Sequence, residues 1–581
     1  MTIEEKIKEI HNGDEQQLDF IFSNSKRIIV EAAAGYGKTR TMISKIAYLL
    51  STKKIPNPKI ILVLTFSVNA AYKIKTEVKS ELPSLIDINS KINVDDKVYV
   101  SNYHGVCRRI LRRYGKKIST NLLKVDSLIS FDDSSTTGFQ SNKIKLDYNK
   151  IEFLNKYNEA VKVNNRKFVV ENFVGYNKII IEEILPQGFI PFNSLITLTV
   201  MLLKNFPTVQ LMYQKIFPCI FIDEFQDTNL LSYGLIKQLV GEQTSVYLLG
   251  DSLQRIYGFI GAIPDILNVA KTDFNMEYIT LENNYRFKDN PSMLLLDYNI
   301  RRNAESLLEP NITENAAIKL TLLDNQEHES NFVVAKAKQI LDADTDTKVA
   351  ILFRGRNNNT KRILSEFDNS ELQYFYAIFS DEDPQYKLYH SQAANLLSEK
   401  LSKEYFSKRM CKRFAKSLRD KFKDDNPTFN SLNSLVDILI ETLFTTFYNL
   451  DEEEKISLLK DTFDGMGLKQ YIEYVPVPII LTTIHGAKGL EWGYVIMPDM
   501  EQNSLPNYYG GCKDCKFDSD CNFKFNEDNK YQLIDELSVF YVGFTRARKQ
   551  VYFTASKLAL GSKGNEREKN ISCLLSLKGI K

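Results

Sequence analysis

An α/β protein built on parallel sheets, interrupted twice by mainly helical segments, is what this 581-residue sequence predicts. Three observations carry the prediction. Short apolar runs recur at residues 28–30, 60–66, 219–222, 246–250, 278–281, 349–353, 479–484 and 494–497. Runs this short, separated by helical patterns, read as buried strands of parallel sheets. The first run leads into Ala32-Ala33-Ala34-Gly35-Tyr36-Gly37-Lys38-Thr39, a phosphate-cradling loop, and the third into Asp223-Glu224-Phe225-Gln226-Asp227-Thr228-Asn229. Both polar strings fall at the carboxyl ends of strands, where such sheets gather their ligands.

Composition narrows the class. A chain this long predicts about three or four domains of roughly 100–200 residues each. Hydrophobic content of 43% and charged content of 25% are ordinary for a soluble globular chain. Seven cysteines without framework spacing predict a reducing, cytoplasmic setting. The start, MTIEEKIKEI, has no apolar signal core, and no apolar stretch approaches the roughly 20 residues that cross a bilayer, so no membrane partner is expected. Net charge is only +2, so a nucleic-acid site would have to be a local basic surface.

Two segments break the strand pattern. Residues 116–205 are polar and mostly helical, with a loop-like tract at 126–140. Residues 386–475 also read as helical, with Phe406, Met410, Phe414, Leu418 and Phe422 forming a stripe at every fourth position. Lys403, Lys408, Arg409, Lys412, Arg413, Lys416, Arg419, Lys421 and Lys423 are interleaved. They read first as a solvated helix face, with a contact to a polynucleotide backbone as the alternative.

The loop at 32–39 has the chemistry of a triphosphate site. Gly35 and Gly37 permit a tight turn that brings backbone N–H groups to the phosphates. Lys38 supplies a point charge, the Thr39 hydroxyl can ligate Mg²⁺, and a helix starting near Thr39 would aim its positive end at the same anions. Asp223 would hold the Mg²⁺ and Glu224 would orient and deprotonate the attacking water. Asp227 reads instead as a solvated, helix-capping acid. Arg286 in Leu281–Arg286 and Arg546 in Tyr541–Arg548 each stand beside a predicted sheet end, where a guanidinium can neutralise a transferring phosphoryl group.

Taken in order, these motifs resemble the UvrD/Rep/PcrA group of superfamily 1 DNA helicases, with a RecB-type phosphate loop, over residues 12–556. The resemblance implies two RecA-like domains. Domain 1A would comprise 1–115 and 206–284 with insertion 1B at 116–205. Domain 2A would comprise 285–385 and 476–581 with a shortened insertion 2B at 386–475. It implies an ATP-dependent DNA helicase with 3′→5′ polarity, whose ATPase is stimulated by single-stranded DNA and whose partner is single-stranded or tailed duplex DNA. Gln17 resembles the adenine-reading glutamine, with Gln16 as the alternative register. Ala34, Gly35, Tyr36, Gly37, Lys38, Thr39, Arg40 and Gly489 would surround ATP, with Tyr285 stacking on the adenine and Glu491 toward the ribose. Gln254 would sense the γ-phosphate, and Arg286 and Arg546 would be the fingers. Phe66, His104, Tyr257, Phe259 and His485 would meet DNA, with Arg108, Arg109, Arg112 and Arg113 on a basic helix beside His104.

Some positions depart from the family pattern. Val68 and Asn69 replace the usual Asn and Lys of the first DNA motif, Ile260 replaces an Arg, and Arg255 a Ser. Arg286 and His485 are 199 residues apart, which implies an abbreviated second insertion, and the 33 residues after Arg548 are too few for a fused RecB-type nuclease. A stand-alone motor is expected. The compact form also resembles motors of anti-phage defence systems such as Gabija, which implies an alternative: a nucleic-acid-sensing ATPase that gates a separate nuclease subunit and opens little duplex itself.

Cys512, Cys515 and Cys521 have spacing that could ligate Zn²⁺, but a closed structural site needs four ligands, so Cys573 or a nearby Asp would have to complete it. A reduced, metal-free loop is the favoured reading. His11, His328 and His390 show no partner spacing and read as surface residues.

Overall fold

The computed structural model describes every residue except 87–92, 257, 259–260, 307–308, 382, 424–425, 509–529, 561–564 and 581. Among the described residues eight strands precede the middle of the chain: β1 (Arg27–Glu31), β2 (Ile61–Thr65), β3 (Val98–Asn102), β4 (Ile129–Phe131), β5 (Phe189–Pro191), β6 (Cys219–Ile222), β7 (Ser245–Gly250) and β8 (Glu277–Thr280). Six of them form a parallel sheet in the order β3-β2-β6-β7-β1-β8. β1, which carries the phosphate loop, and β6, which carries the acid pair, flank β7, so three polar strand ends converge on one edge of the sheet. β2 and β6 are buried along their whole length, as a sheet covered on both faces requires. One face packs on Ile43, Ile46, Val63 and Phe221; the other on Leu62, Ile110, Leu198 and Ile222.

A second sheet follows, from β9 (Lys319–Asn325), β10 (Val349–Phe353), β11 (Tyr374–Ala377), β12 (Ile479–Thr483), β13 (Trp492–Met497), β14 (Ala547–Leu560) and β15 (Glu566–Glu568). Its order is β11-β12-β10-β13-β14-β15, with β9 also on β14, and the pairs are parallel except β14 with β15. The fold is therefore α/β, with two large, mostly parallel sheets among the described residues.

Between β3 and β6 lies a helical segment that includes Tyr148–Lys162, Arg166–Ile179 and Phe192–Asn205. The tract 126–140 is not a plain loop: it contains β4, which pairs in parallel with β5, and begins a helix at Thr136–Ser141. Its Ser, Thr and Asp residues cap and turn rather than disorder the chain, as Asp132 does by accepting from the Ser134 N–H at 2.9 Å.

Between β11 and β12 four helices, Pro384–Lys403, Lys408–Lys421, Pro427–Thr445 and Glu452–Asp464, pack into the core of the second lobe. Met410, Phe414 and Leu418 are fully buried, so the four-residue stripe is the core face of Lys408–Lys421. Its basic flank is laced to acids: Lys408 pairs with Glu441, Arg413 with Glu404 and Arg419 with Asp437. No single helix among the described residues is long and apolar enough to cross a membrane.

Candidate nucleotide site and polynucleotide channel

The phosphate loop turns through two left-handed glycines, Gly35 at φ +85° and Gly37 at φ +80°. Helix Lys38–Ser51 starts immediately after, with no side-chain cap, so its first N–H groups point into the loop without a protein partner from the cap position. A Cβ on Gly35 would meet Arg286 Cβ at 2.5 Å, and one on Gly37 would meet Gln17 Nε2 at 3.0 Å. Glycine is needed here for close approach as well as for φ.

Opposite the loop, β6 ends in the acid pair. Asp223 is held in the sheet by its N–H on Leu64 O at 2.8 Å, and Glu224 takes a left-handed backbone, φ +51° and ψ +41°. Its carboxylate lies 3.6 Å from Lys38 Nζ and accepts from the Gln226 amide, whose own oxygen accepts from the Asp251 N–H at 3.0 Å. Burial opposes charge on all three groups. Beyond that they diverge. The carboxylates of Glu224, Asp223 and Asp251 hold Lys38 above its ordinary pKa; Glu224 pushes Asp223 up; Lys38 and Lys488 pull Glu224 down. Glu224 thus stays an anion able to accept a proton from water, the state a general base requires.

Two buried polar atoms suit a triphosphate and its cation. Lys38 Nζ and Asp223 Oδ1 have no hydrogen-bond partner among the described residues. A buried ammonium and a buried carboxylate oxygen left open side by side suit a phosphate oxygen and a divalent cation respectively. ATP would lie along the loop at 33–39, and Mg²⁺ would be held by Asp223 and the Thr39 hydroxyl.

The base end is framed by helix Glu15–Phe22, capped by Asp14. Gln17 is buried and donates to Tyr36 O at 3.1 Å, whereas Gln16 is turned outward to Glu282. Of the two registers, only Gln17 faces the loop. His11 is not a surface residue: it is 3% exposed and bonds both Gln17 and Ser44, and burial lowers its pKa. Tyr285, 38% exposed, binds Asp14 through its hydroxyl and Gly35 O through its N–H at 2.9 Å. Arg40 is exposed beside the loop and Gly489 is exposed at φ +81°.

The second lobe closes the site. Arg546 donates to Gln254 Oε1 at 3.3 Å, and burial, with Arg286 adding repulsion, pushes its pKa down to about 10. Arg286 bonds Thr545 O and Glu491; Glu491 also accepts from Arg548 at 3.0 Å. Glu491 is therefore engaged with two arginines in this state. Asp227 overturns its expected solvation: it is 2% exposed and receives Lys488 Nζ from the second lobe at 2.7 Å on both oxygens, while the same ammonium reaches Gln254 O at 2.7 Å. Motif reading left Lys488 unassigned; the Lys within Ala487-Lys488-Gly489 was its only signal. Arg255, one of the departures, crosses the same cleft to Asp535.

From the loop the cleft continues as a cavity of about 1050 Å³ past Phe66, His104 and Phe192 to Lys387, His390 and Gln470. His104 stacks on Phe192 with centroids 3.7 Å apart and 30° between planes. Burial, then Arg108, pushes the His104 pKa down to about 3; burial, then Arg354, does the same for His485. Both rings are neutral near pH 7; His104 lines the cavity, whereas His485, expected beside it, is buried and is not among the residues that line it. The helical segments meet over this channel through Arg108–Asp464 at 2.8 Å and Lys387–Asp132 at 3.4 Å. His390 is buried at 1%, another correction, while His328 is exposed. Tyr257, Phe259 and Ile260 lie outside the described residues, as do Cys512, Cys515 and Cys521.

Comparison with known proteins now decides the family. The description "UvrD/REP helicase N-terminal domain" fits residues 13–275, and "UvrD-like helicase C-terminal domain" fits residues 381–558. The chain belongs to the UvrD/Rep helicase family. Members similar to it include a probable DNA helicase II homolog of Mycoplasma genitalium, 24% identical over 93% of this chain and 84% of the relative. The ATP-dependent DNA helicase Rep of Buchnera aphidicola subsp. Acyrthosiphon pisum is 24% identical over 90% of this chain and 92% of its own length. The ATP-dependent DNA helicase PcrA of Bacillus subtilis is 31% identical over 58% of this chain and 46% of its own length. This UvrD/Rep-type chain is an enzyme of the helicase class.

Proposed function

We propose that the protein is an ATP-driven translocase on single-stranded DNA that opens tailed duplex with 3′→5′ polarity. One observation carries the reading: the cavity runs unbroken from the phosphate loop to the His104–Phe192 stack, so one cleft serves both fuel and track. Lys38 and the open helix start hold the triphosphate, Glu224 takes the proton of the attacking water, and Arg286 and Arg546 answer the charge that develops on phosphorus. Mg²⁺, when bound at Asp223 and Thr39, supplies Lewis-acid polarisation of the phosphate oxygens. Arg546 and Lys488 join the lobes at Gln254, the residue read as the γ-phosphate sensor, so loss of that phosphate would remove a reason for the lobes to stay closed. Opening would then shift the strand held between them. Stacking suits sequence-independent travel, since every base has a π-face, at about 1–3 kcal/mol per base.

ATP turnover with and without oligo-dT, and displacement from 3′-tailed and 5′-tailed duplexes, test this. Stimulation by DNA with displacement only from the 3′-tailed duplex is expected. Turnover indifferent to DNA would sink the translocase reading; stimulation without displacement would favour the sensor that gates a nuclease.

A further inference from the structure

The cleft holds a second polar system that the motif reading did not reach. Helix Pro291–Glu305 belongs to the core of the second lobe, yet two of its side chains address the first lobe. Asp297, fully buried, accepts from the Tyr36 hydroxyl of the phosphate loop at 2.8 Å, from Asn284 Nδ2 at 3.0 Å and from the Tyr541 hydroxyl at 2.7 Å. One turn on, Arg301 donates to Asp251 at 2.7 Å and to the Tyr541 hydroxyl at 2.8 Å, with its guanidinium 4.8 Å from the Tyr541 ring centre and 5.7 Å from that of Tyr36. Asp251 is itself fully buried and accepts from Gln254 Nε2 at 2.7 Å. Gln254 has its other face on Arg546.

We infer that Asp297 and Arg301 form a latch across the cleft that fixes Gln254 for hydrolysis, so that Arg301 is a positioning residue acting through Asp251. A glutamine amide can present either its oxygen or its nitrogen to a phosphate-side partner. Asp251 can only accept, so it takes the Gln254 nitrogen and turns the oxygen toward Arg546. Arg301 is the cation hydrogen-bonded to Asp251 and holds that carboxylate where Gln254 meets it. Tyr36 ties the system to the phosphate loop: its hydroxyl reaches the latch while its carbonyl receives Gln17. A displacement of the loop by a bound triphosphate would therefore be felt at Arg301, and a displacement of the second lobe at Gln254. Asp251 and Arg301 also act on the Lys38 ammonium with opposite sign, the first favouring its charge and the second opposing it.

The inference rests on the nucleotide site of the proposed function, but not on DNA translocation, and the test keeps the two apart. Turnover is measured without DNA as well as with oligo-dT for wild type, Arg301→Met, Arg301→Lys, Tyr36→Phe and Tyr36→Phe/Arg301→Met, alongside fluorescent ADP affinity and thermal melting. The expected result is a kcat about tenfold lower for Arg301→Met with KM for ATP and ADP affinity within about threefold, and partial recovery in Arg301→Lys. Tyr36→Phe alone should lower kcat about threefold, and on the Arg301→Met background it should add little, because both changes act through one network. A folded Arg301→Met chain with kcat within about twofold of wild type overturns the latch. So do losses that simply multiply, or a parallel collapse of ADP affinity. If Arg301→Met does not fold, Arg301→Lys with Tyr36→Phe completes the same cycle. Wild-type turnover indifferent to DNA would remove translocation while the DNA-free ratios still decide the latch.

Discussion

Replacing Lys488 by Met would remove a cation that joins the lobes from inside. Its ammonium touches both Asp227 oxygens and Gln254 O, each at 2.7 Å, and the two side chains are only 8% and 2% exposed. Removing one partner of a buried pair costs about 3–5 kcal/mol when the other charge cannot be neutralised. Asp227 can be neutralised. Burial, opposed by Lys488, already raises its carboxyl to about 6. At about pH 7.5, protonating it costs at most about 2 kcal/mol, from 1.36 kcal/mol per unit over about 1.5 units, because losing Lys488 raises that pKa further. Losing the hydrogen bond to Gln254 adds about 1 kcal/mol. The closed cleft should weaken by at most about 3 kcal/mol, up to roughly a hundredfold in kcat/KM for ATP. The sign of the pH dependence follows from the raised pKa. Such an acid favours the closed fold below its ordinary range, and that contribution is lost as pH rises through about 6. Without Lys488 it titrates higher still, so the deficit should shrink to roughly fivefold near pH 6. The assay is the variant-to-wild-type ratio of ATP turnover at the two pH values, together with Lys488→Met/Asp227→Asn, which should regain most of the loss at the higher pH. A ratio that ignores pH, or a double variant no better than the single, would refute the reasoning.

Three further outcomes are expected. Glu224→Gln should bind ATP with affinity near wild type while turnover falls by at least about 100-fold, since the amide cannot take a proton; filter binding and phosphate release measure the two. Gly35→Ala should weaken ATP binding by more than about tenfold and lower the melting temperature, because its methyl would meet Arg286 Cβ at 2.5 Å at a φ of +85°. Protein purified without added zinc should carry less than about 0.2 equivalents, and a stoichiometric content by atomic emission would instead assign Cys512, Cys515 and Cys521 to a metal.

The sequence was most legible where chemistry and periodicity coincide. Strands that end in signature residues, such as β1, β6 and β7, were found because a short apolar run and a polar string mark the same place. β9 and β11 were not: β9 has no fully buried residue, only every second residue of the short β11 is buried, and no signature follows either. β14 hid behind the Thr545-Arg546-Ala547-Arg548 string that precedes its body. Asp227 was misread for another reason. Its partner Lys488 is 261 residues away, and a cross-lobe pair leaves no mark in local spacing. Arg301 with Asp251 and Tyr36 with Asp297 were invisible on the same ground. His11 looked solitary because its partners, Gln17 and Ser44, meet it only once the first helices pack.

The twisted backbone at Glu224 has a consequence for anyone engineering heat resistance. A side chain at φ +51° carries about 1 kcal/mol of conformational cost that glycine would not. Substituting glycine there would relax the main chain and delete the proposed proton acceptor in one step. Durability and turnover are thus set against each other at a single residue, and a library sorted only by survival after heating would enrich for inert protein.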